Sequence, residues 1–383
     1  MLGCGHLVGR VRHRLPVMTA EAGALLVAKC RLGELRALQE TPVTGRPVDI
    51  LVELGRDGPQ LRTELVDAAV RAAWDGRPLW IDPAHLDPGS DLARLGDPLG
   101  ELERLIEDAF GLFRLDAPPL VPVVAAAAGG RERRRIRNLL EHQARPVVVR
   151  CRSASQQDPS RLVERLRTLG AGLGLPTSSL HLVLDEGFVG RVEPRRVRGV
   201  VSLGRWVTAE VPLASITLVA GSTPRTRSGR EREVDRLAEV DLWEDVRAEL
   251  DIPLGYGDYG AVHPAPLPPS GPSPRAQPNP YLHYSLRRHR LTVARRIPGR
   301  KGLVVPSGAM EQYFREVAEE VVEDQDFAGP RFSWGDRCLH RCRTDPSISV
   351  GTAEWWIAYA TSHHLARLSH HPPGTPPVSR SDR

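Results

Sequence analysis

Eight short apolar runs, separated by stretches long enough for a helix, constrain this chain more than any other feature. They fall at residues 24–28, 48–53, 78–82, 120–125, 146–151, 180–185, 215–220 and 252–256. Several are near-continuous in Val, Leu and Ile without polar alternation, the pattern of parallel strands buried on both faces. The intervals read as amphipathic helices. Residues 61–74 carry Leu61, Leu65, Ala68, Ala69 and Ala72 at helical spacing, and residues 99–113 carry Leu99, Leu102, Leu105, Ile106, Ala109 and Phe113. Residues 131–143, 161–173 and 232–250 repeat the theme, after a short first crossover at 33–41. Repeated β-α units can close into a barrel or open into a doubly wound sheet. No G-x-G-x-x-G follows the first run and the units number eight, so the expected fold is α/β, a (β/α)8 TIM-like barrel.

The last run ends at Ile252-Pro-Leu-Gly-Tyr-Gly-Asp-Tyr-Gly-Ala-Val-His263, where an apolar strand hands over to glycines, an acid, a tyrosine and a histidine. Beyond it the composition shifts. The expected organisation is a disordered arm or mis-assigned start at 1–17, the barrel over 18–263 and a proline-rich linker over 264–280. A hairpin-plus-helices appendage follows over 281–370, then a disordered tail over 371–383. In the appendage, 281–285 and 291–296 read as a hairpin joined by the basic Leu286-Arg-Arg-His-Arg290, and 309–325 and 352–368 as helices. These elements look too few for a core of their own, so the appendage is expected to pack on the barrel.

Charge and cysteine usage narrow the class. Lys+Arg number 52 against 47 Asp+Glu, a net +5 spread along the chain, which is mostly ordinary solvated surface. Five cysteines form no CxxC pair, and no apolar run has bilayer-spanning length, so a cytoplasmic protein without membrane partners is expected. No G-x-S-x-G elbow, Walker loop or H-E-x-x-H occurs, which argues against α/β-hydrolase, P-loop and zincin chemistry.

In a barrel of this kind the carboxyl ends of the strands converge on one face. Lys29, Glu53, Asp82, Arg150, Arg152, Asp185 and Asp258 stand at such ends. Glu53, Asp82, Asp185 and Asp258 are the candidate catalytic residues, as acid-base groups or as oxygen ligands that could hold a divalent cation. Lys29, Glu34, Arg150, Arg152, Ser222, Tyr259 and His263 are the candidate substrate-binding residues. Gly221-Ser222 and Gly257 to Gly260 sit where such barrels cradle phosphate, although glycines there also simply make turns. Strand-end acids also cap helices or form structural ion pairs. Cys338, His340, Cys342, His363 and His364 could surround zinc at a loose spacing, but structural burial is the better reading. Phe332 to Asp336 reads as a turn anchored by a buried Trp, and His363-His364 as a helix end.

Ala24-Leu-Leu-Val-Ala-Lys-Cys-Arg-Leu-Gly-Glu-Leu-Arg-Ala-Leu38, the strand ending at Glu53 and Pro78-Leu-Trp-Ile-Asp82 resemble the opening of the phage beta-protein family of phages and bacteria. Leu218 to Ser222, Gly257-Asp-Tyr-Gly260 with His263-Pro264, Phe332-Ser-Trp-Gly-Asp336 and Thr361-Ser-His-His-Leu365 resemble later family signatures in the same order. Arg31 and Ser362 depart from the pattern, standing where a lysine and an asparagine are usual. The resemblance implies a phage or host-defence context and no established reaction. Two functions fit the residues: an enzyme acting on a phosphorylated or nucleic-acid-related substrate at the strand ends, or a non-catalytic protein that holds a phage or host partner with the rim and the basic hairpin.

Overall fold

The computed structural model describes residues 23–111, 118–266, 280–296 and 307–374. The expected arm at 1–17 lies outside the described residues, as do most of the proline-rich linker, most of the tail and Phe113. The chain opens with β1 (Ala24–Lys29), α1 (Leu32–Glu40), β2 (Val48–Glu53), α2 (Pro59–Trp74) and β3 (Leu79–Asp82). Helices α3 (Asp91–Arg94) and α4 (Pro98–Phe110) precede β4 (Leu120–Ala125). The alternation continues through α5 (Gly130–His142), β5 (Val147–Arg152), α6 (Pro159–Leu173), β6 (Leu180–Phe188), α7 (Pro194–Glu210) and β7 (Ser215–Gly221). There follow β8 (Arg232–Arg236), α8 (Ala238–Glu249), β9 (Leu254–Asp258), β10 (Tyr281–Ser285), β11 (His289–Ala294), α9 (Ser307–Val322), α10 (Trp334–Thr344) and α11 (Ala353–His370).

Strands β1 to β7 and β9 pair in parallel and close, β9 returning to β1, so the fold is a (β/α)8 barrel. Its crossover helices start as their sequences dictate. Proline occupies the first turn of α2, α4, α6 and α7, where a missing N–H costs nothing. Asp97 and Asp158 cap α4 and α6 by accepting from Gly100 N at 3.2 Å and Arg161 N at 3.0 Å. Strand side chains alternate between two apolar layers. Leu25, Val27, Leu51, Trp80, Val123, Val148, Val183 and Val219 fill the barrel interior, while Leu26, Val52, Ile81, Val124, Val149, Leu184 and Leu218 pack outward beneath the helices.

The appendage is a three-stranded antiparallel sheet, ordered β10-β11-β8, covered by α9, α10 and α11. It differs from the sequence expectation in several places. Residues 232–250 are not one helix: Arg232–Arg236 is a strand with alternating exposure that pairs with β11, and the helix starts at Ala238. The tie across the two strands is ionic as well as backbone, since Arg290 of β11 bonds Asp235 at 2.8 Å. Phe332 to Asp336 is a helix start instead of a turn around a buried Trp. Ser333 caps α10 by accepting from Asp336 N at 3.0 Å and donates to Asp336 Oδ2 at 2.6 Å, while Trp334 stays half-buried.

The appendage also builds a cluster of its own, in which Leu282, Tyr284, Val293, Phe314, Val321, Leu339 and Trp356 are buried together. Helix α11 belongs to both cores. Trp356, Tyr359 and Ala360 near its start pack in that cluster, whereas Leu365 and Leu368 pack with the barrel helices. Glycines make the fit close. A Cβ on Gly33 of α1 would lie 2.2 Å from Glu354 O, and one on Gly335 of α10 would lie 2.2 Å from Tyr359 O. Both facing carbonyls belong to α11.

Candidate functional site

Register sets the charged strand ends side by side: Lys29 opposite Glu53, Glu53 opposite Asp82, and Arg152 opposite Asp185. Two-residue alternation decides which of them meet. Lys29, Glu53, Asp82, Arg150, Arg152 and Asp185 follow interior positions such as Val27, Leu51, Trp80, Val148 and Val183 by two, so their side chains converge over the interior layer. Arg150 is at the centre. Its Nη1 lies 2.6 Å from Glu53 Oε1 and 2.7 Å from Asp82 Oδ2, and its Nε and Nη2 reach Asp185 Oδ2 at 2.9 and 2.7 Å. Nη2 also donates to Tyr259 OH at 2.7 Å, and that hydroxyl sits 2.8 Å from Asp185 Oδ2. Lys29 pairs with Glu53 and donates to Pro264 O at 2.7 Å. Arg152 Nη2 donates to Asp82 at 3.0 Å and Glu53 at 3.3 Å. Three carboxylates thus face three cations, and only Arg152, 37% exposed, reaches the solvent.

Burial and pairing compete at each member. Burial raises the Glu53 carboxyl, but Arg150 and Lys29 outweigh it and hold Glu53 below its ordinary value. Burial disfavours the Arg150 cation too, and Asp185, Tyr259, Glu53 and Asp82 outweigh that, pushing it well up. At Lys29 burial prevails over Glu53 and the ammonium is pulled down. Burial, with Asp185 beside it, drives the Tyr259 phenol well up, so it remains a hydrogen-bonding hydroxyl.

The remaining sequence candidates stand apart from this network. Asp258 is one residue out of phase: Gly257 faces the interior, where a Cβ would meet Val219 Cγ2 at 2.6 Å, so Asp258 points outward to the appendage. There it lies 2.8 Å from His364 Nε2 and accepts from Tyr256 OH at 2.6 Å. Tyr259, the next residue, returns to the interior. Glu34 is buried in α1, accepts from Lys29 N at 2.8 Å and is pushed up to about 7 by burial. Ser222 is buried beside Glu239, whose carboxyl burial pushes up to about 7. His263 Nδ1 lies 2.8 Å from Thr223 O, and its ring is 5.1 Å from Phe188.

The sequence left metal-ligand and phosphate-cradle roles open as alternatives, and placed His363-His364 at a helix end. The acids do not form a metal cage, because the Arg150 guanidinium takes the place a cation would occupy among Glu53, Asp82 and Asp185. Among the described residues no group of three or more His, Cys, Asp or Glu is arranged to hold a metal ion, the cysteine–histidine set included. His363 and His364 are buried within α11, not at its end; His363 lies 3.0 Å from Asp336 and 2.8 Å from Ser285 O. Gly221 permits a close approach, since a Cβ there would meet Pro264 at 2.8 Å and Tyr259 at 3.2 Å.

A family model described as Beta protein matches residues 25–370. The chain belongs to the Beta protein family. A comparison with curated proteins gave no match. Among solved structures, a Burkholderia cenocepacia protein assigned as a lyase/mutase is similar at 14% identity and a TM-score of 0.34, over 64% of this chain and 78% of that one. In this Beta protein family member, sequence reading missed His85, three residues beyond the end of β3. It is half-buried, and burial together with Arg152 holds its imidazole below the ordinary value, against Glu53 and Asp82. Its distance from a strand-end acid was the available signal. Also unforeseen was Ser153, directly after Arg152, which has φ 51° and is the one non-glycine in the left-handed region among the described residues. Nearby, Ser155 N and Oγ donate to Glu186 at 2.5 and 2.8 Å.

Proposed function

We propose that the carboxyl-terminal mouth of the barrel is an acid-base site for a small anionic, phosphorylated substrate. The observation that carries this reading is Arg152: it is the outermost cation of an otherwise sealed network, held by Glu53 and Asp82 yet 37% exposed. Carboxylates on one side of a guanidinium fix its orientation and leave the other edge to receive a phosphate or carboxylate in forked geometry. His85 beside it, kept neutral near pH 7, is the proton acceptor, and Asp82, which also accepts from Ala84 N at 2.9 Å, holds the loop that carries it. Arg150, Lys29 and Tyr259 position these groups. Backbone strain at Ser153 supports the reading, because such conformations persist where a site requires them.

The partner-binding alternative rested partly on the basic hairpin, and its arginines are committed elsewhere. Arg288 pairs with Glu244 at 2.6 Å and Asp241 at 3.0 Å, and Arg290 is buried against Asp235 and Thr223. The setting we propose, phage-host conflict, rests on the family resemblance, and its placement in the cytoplasm rests on the cysteine usage. The test is calorimetric titration of the purified protein with inorganic phosphate and a panel of sugar phosphates, beside Arg152→Ala. Saturable binding weakened at least about tenfold in the variant is expected, the value of one charge-assisted contact. Absence of binding to either protein would abandon the catalytic reading for partner binding.

A further inference from the structure

A cavity of about 350 Å³ opens between the barrel and the appendage, within the size range of small-molecule sites. Its lining includes the apolar and aromatic side chains of Phe314, Trp356 and Ile357. It also includes Arg31, Arg225 and His263. No Asp or Glu is among the described residues that line it, in contrast to the barrel mouth, where acids and bases balance. Among the described residues, one large hydrophobic side chain left exposed lines this space and another lies against a lining residue. Tyr281, 37% exposed, lines it with Arg227 stacked 4.9 Å from its ring, and Phe188, 43% exposed, lies against His263. The cavity also adjoins the mouth covalently: Arg31 follows Lys29 by two residues, and Pro264, whose carbonyl accepts from Lys29, lies between the lining residues His263 and Ala265.

Apolar and aromatic lining side chains favour a planar ring, which gains by stacking on side-chain π faces. Arginines without a lining counter-acid favour an anion. His283, also among the lining residues, is pushed down to about 3 by burial with Arg290 and Arg227, so it brings no charge at neutral pH, and its Nδ1 lies 2.9 Å from Thr292 Oγ1. A bare phosphate would leave the aromatic side chains unused, and a bare ring would leave the arginines unused.

We propose that this cavity binds a ligand that joins a planar ring to a phosphate, of the mononucleotide class, and presents it to the barrel mouth. The proposal rests on the acid-base reading of the mouth for the second step only; binding itself stands on the cavity. Titration of the full-length protein with adenosine monophosphate, adenosine and ribose 5-phosphate separates the two contributions. The nucleotide is expected to bind at least about tenfold tighter than either fragment, and Arg225→Ala and Tyr281→Ala, both at exposed positions, are each expected to weaken it several-fold. Equal affinity for the nucleotide and one of its fragments, or no binding of any up to millimolar concentration, overturns the proposal. So does nucleotide binding lost in Arg152→Ala but unchanged in both cavity variants, which would place the ligand at the barrel axis. Binding lost in the cavity variants and kept in Arg152→Ala would uphold the cavity while removing the role of the mouth.

Discussion

Arg150 brings a positive charge to a position with 2% side-chain exposure and meets Glu53, Asp82 and Asp185 there. Its value lies less in what the pairs add than in what removal would leave, namely three buried carboxylates with one guanidinium fewer. Arg150→Met, which keeps an unbranched apolar stem without the guanidinium, is expected to destabilise the protein by about 3–5 kcal/mol at neutral pH in urea unfolding. The pH dependence has a definite sign. Because Glu53 is held below its unfolded value, its contribution is fully present above that value, about 4.3, and is lost as pH falls through the lower folded one. The gap between wild type and variant should therefore narrow below about pH 4. A loss under about 1 kcal/mol, or a gap constant into acid, would show that the network is not coupled as the distances imply.

At the scale of elements, close approach of helices matters most. Gly33 and Gly335 let α1 and α10 seat against the backbone of α11, and no side chain yields there because the opposing atoms are carbonyl oxygens. Gly335→Ala is expected to cost about 1–3 kcal/mol by overpacking, although alanine has the better helix propensity. A thermal midpoint unchanged or raised would refute this. Elements were legible in the sequence to the extent that one pattern governed them. The eight barrel strands, buried on both faces, announce themselves as Val/Leu-rich runs, and the inward charges Glu53, Asp82 and Asp185 stand at their ends. Asp258 was misplaced because strand-end position was read without parity, and the alternation of Gly255, Gly257 and Tyr259 on the inward face held the correction. Strand β8 was hidden for another reason: Arg-Glu-Val-Asp-Arg has no apolar face, and its pairing with β11 is a long-range event that no local pattern encodes. Helix α7 (Pro194–Glu210) likewise escaped notice, although Val197, Val200, Val201, Gly204 and Val207 recur at helical spacing on its buried face.

For the whole molecule, α11 decides how barrel and appendage respond together. Its residues are shared between two apolar clusters, and His364 joins Asp258 of the barrel to Ser285 of the hairpin, at 2.8 Å to each. Unfolding should accordingly be a single calorimetric transition with van't Hoff and calorimetric enthalpies in agreement. Two resolved transitions, one of them retained after deletion of the appendage from residue 281, would show that the barrel folds alone. The location of the candidate sites follows the same logic, since the cavity exists only where the two parts meet.

Strand β8 has a consequence for the order in which the protein is made. It leaves the ribosome with the barrel, yet the strand it pairs with, β11, is encoded more than 50 residues later. For that interval it is a nascent edge without a neighbour, the kind of segment that recruits strands from other chains. Four of its five residues are charged, Arg232, Glu233, Asp235 and Arg236, and this composition discourages adventitious pairing until the hairpin arrives. The feature that concealed the strand from pattern reading is thus the one that lets it wait.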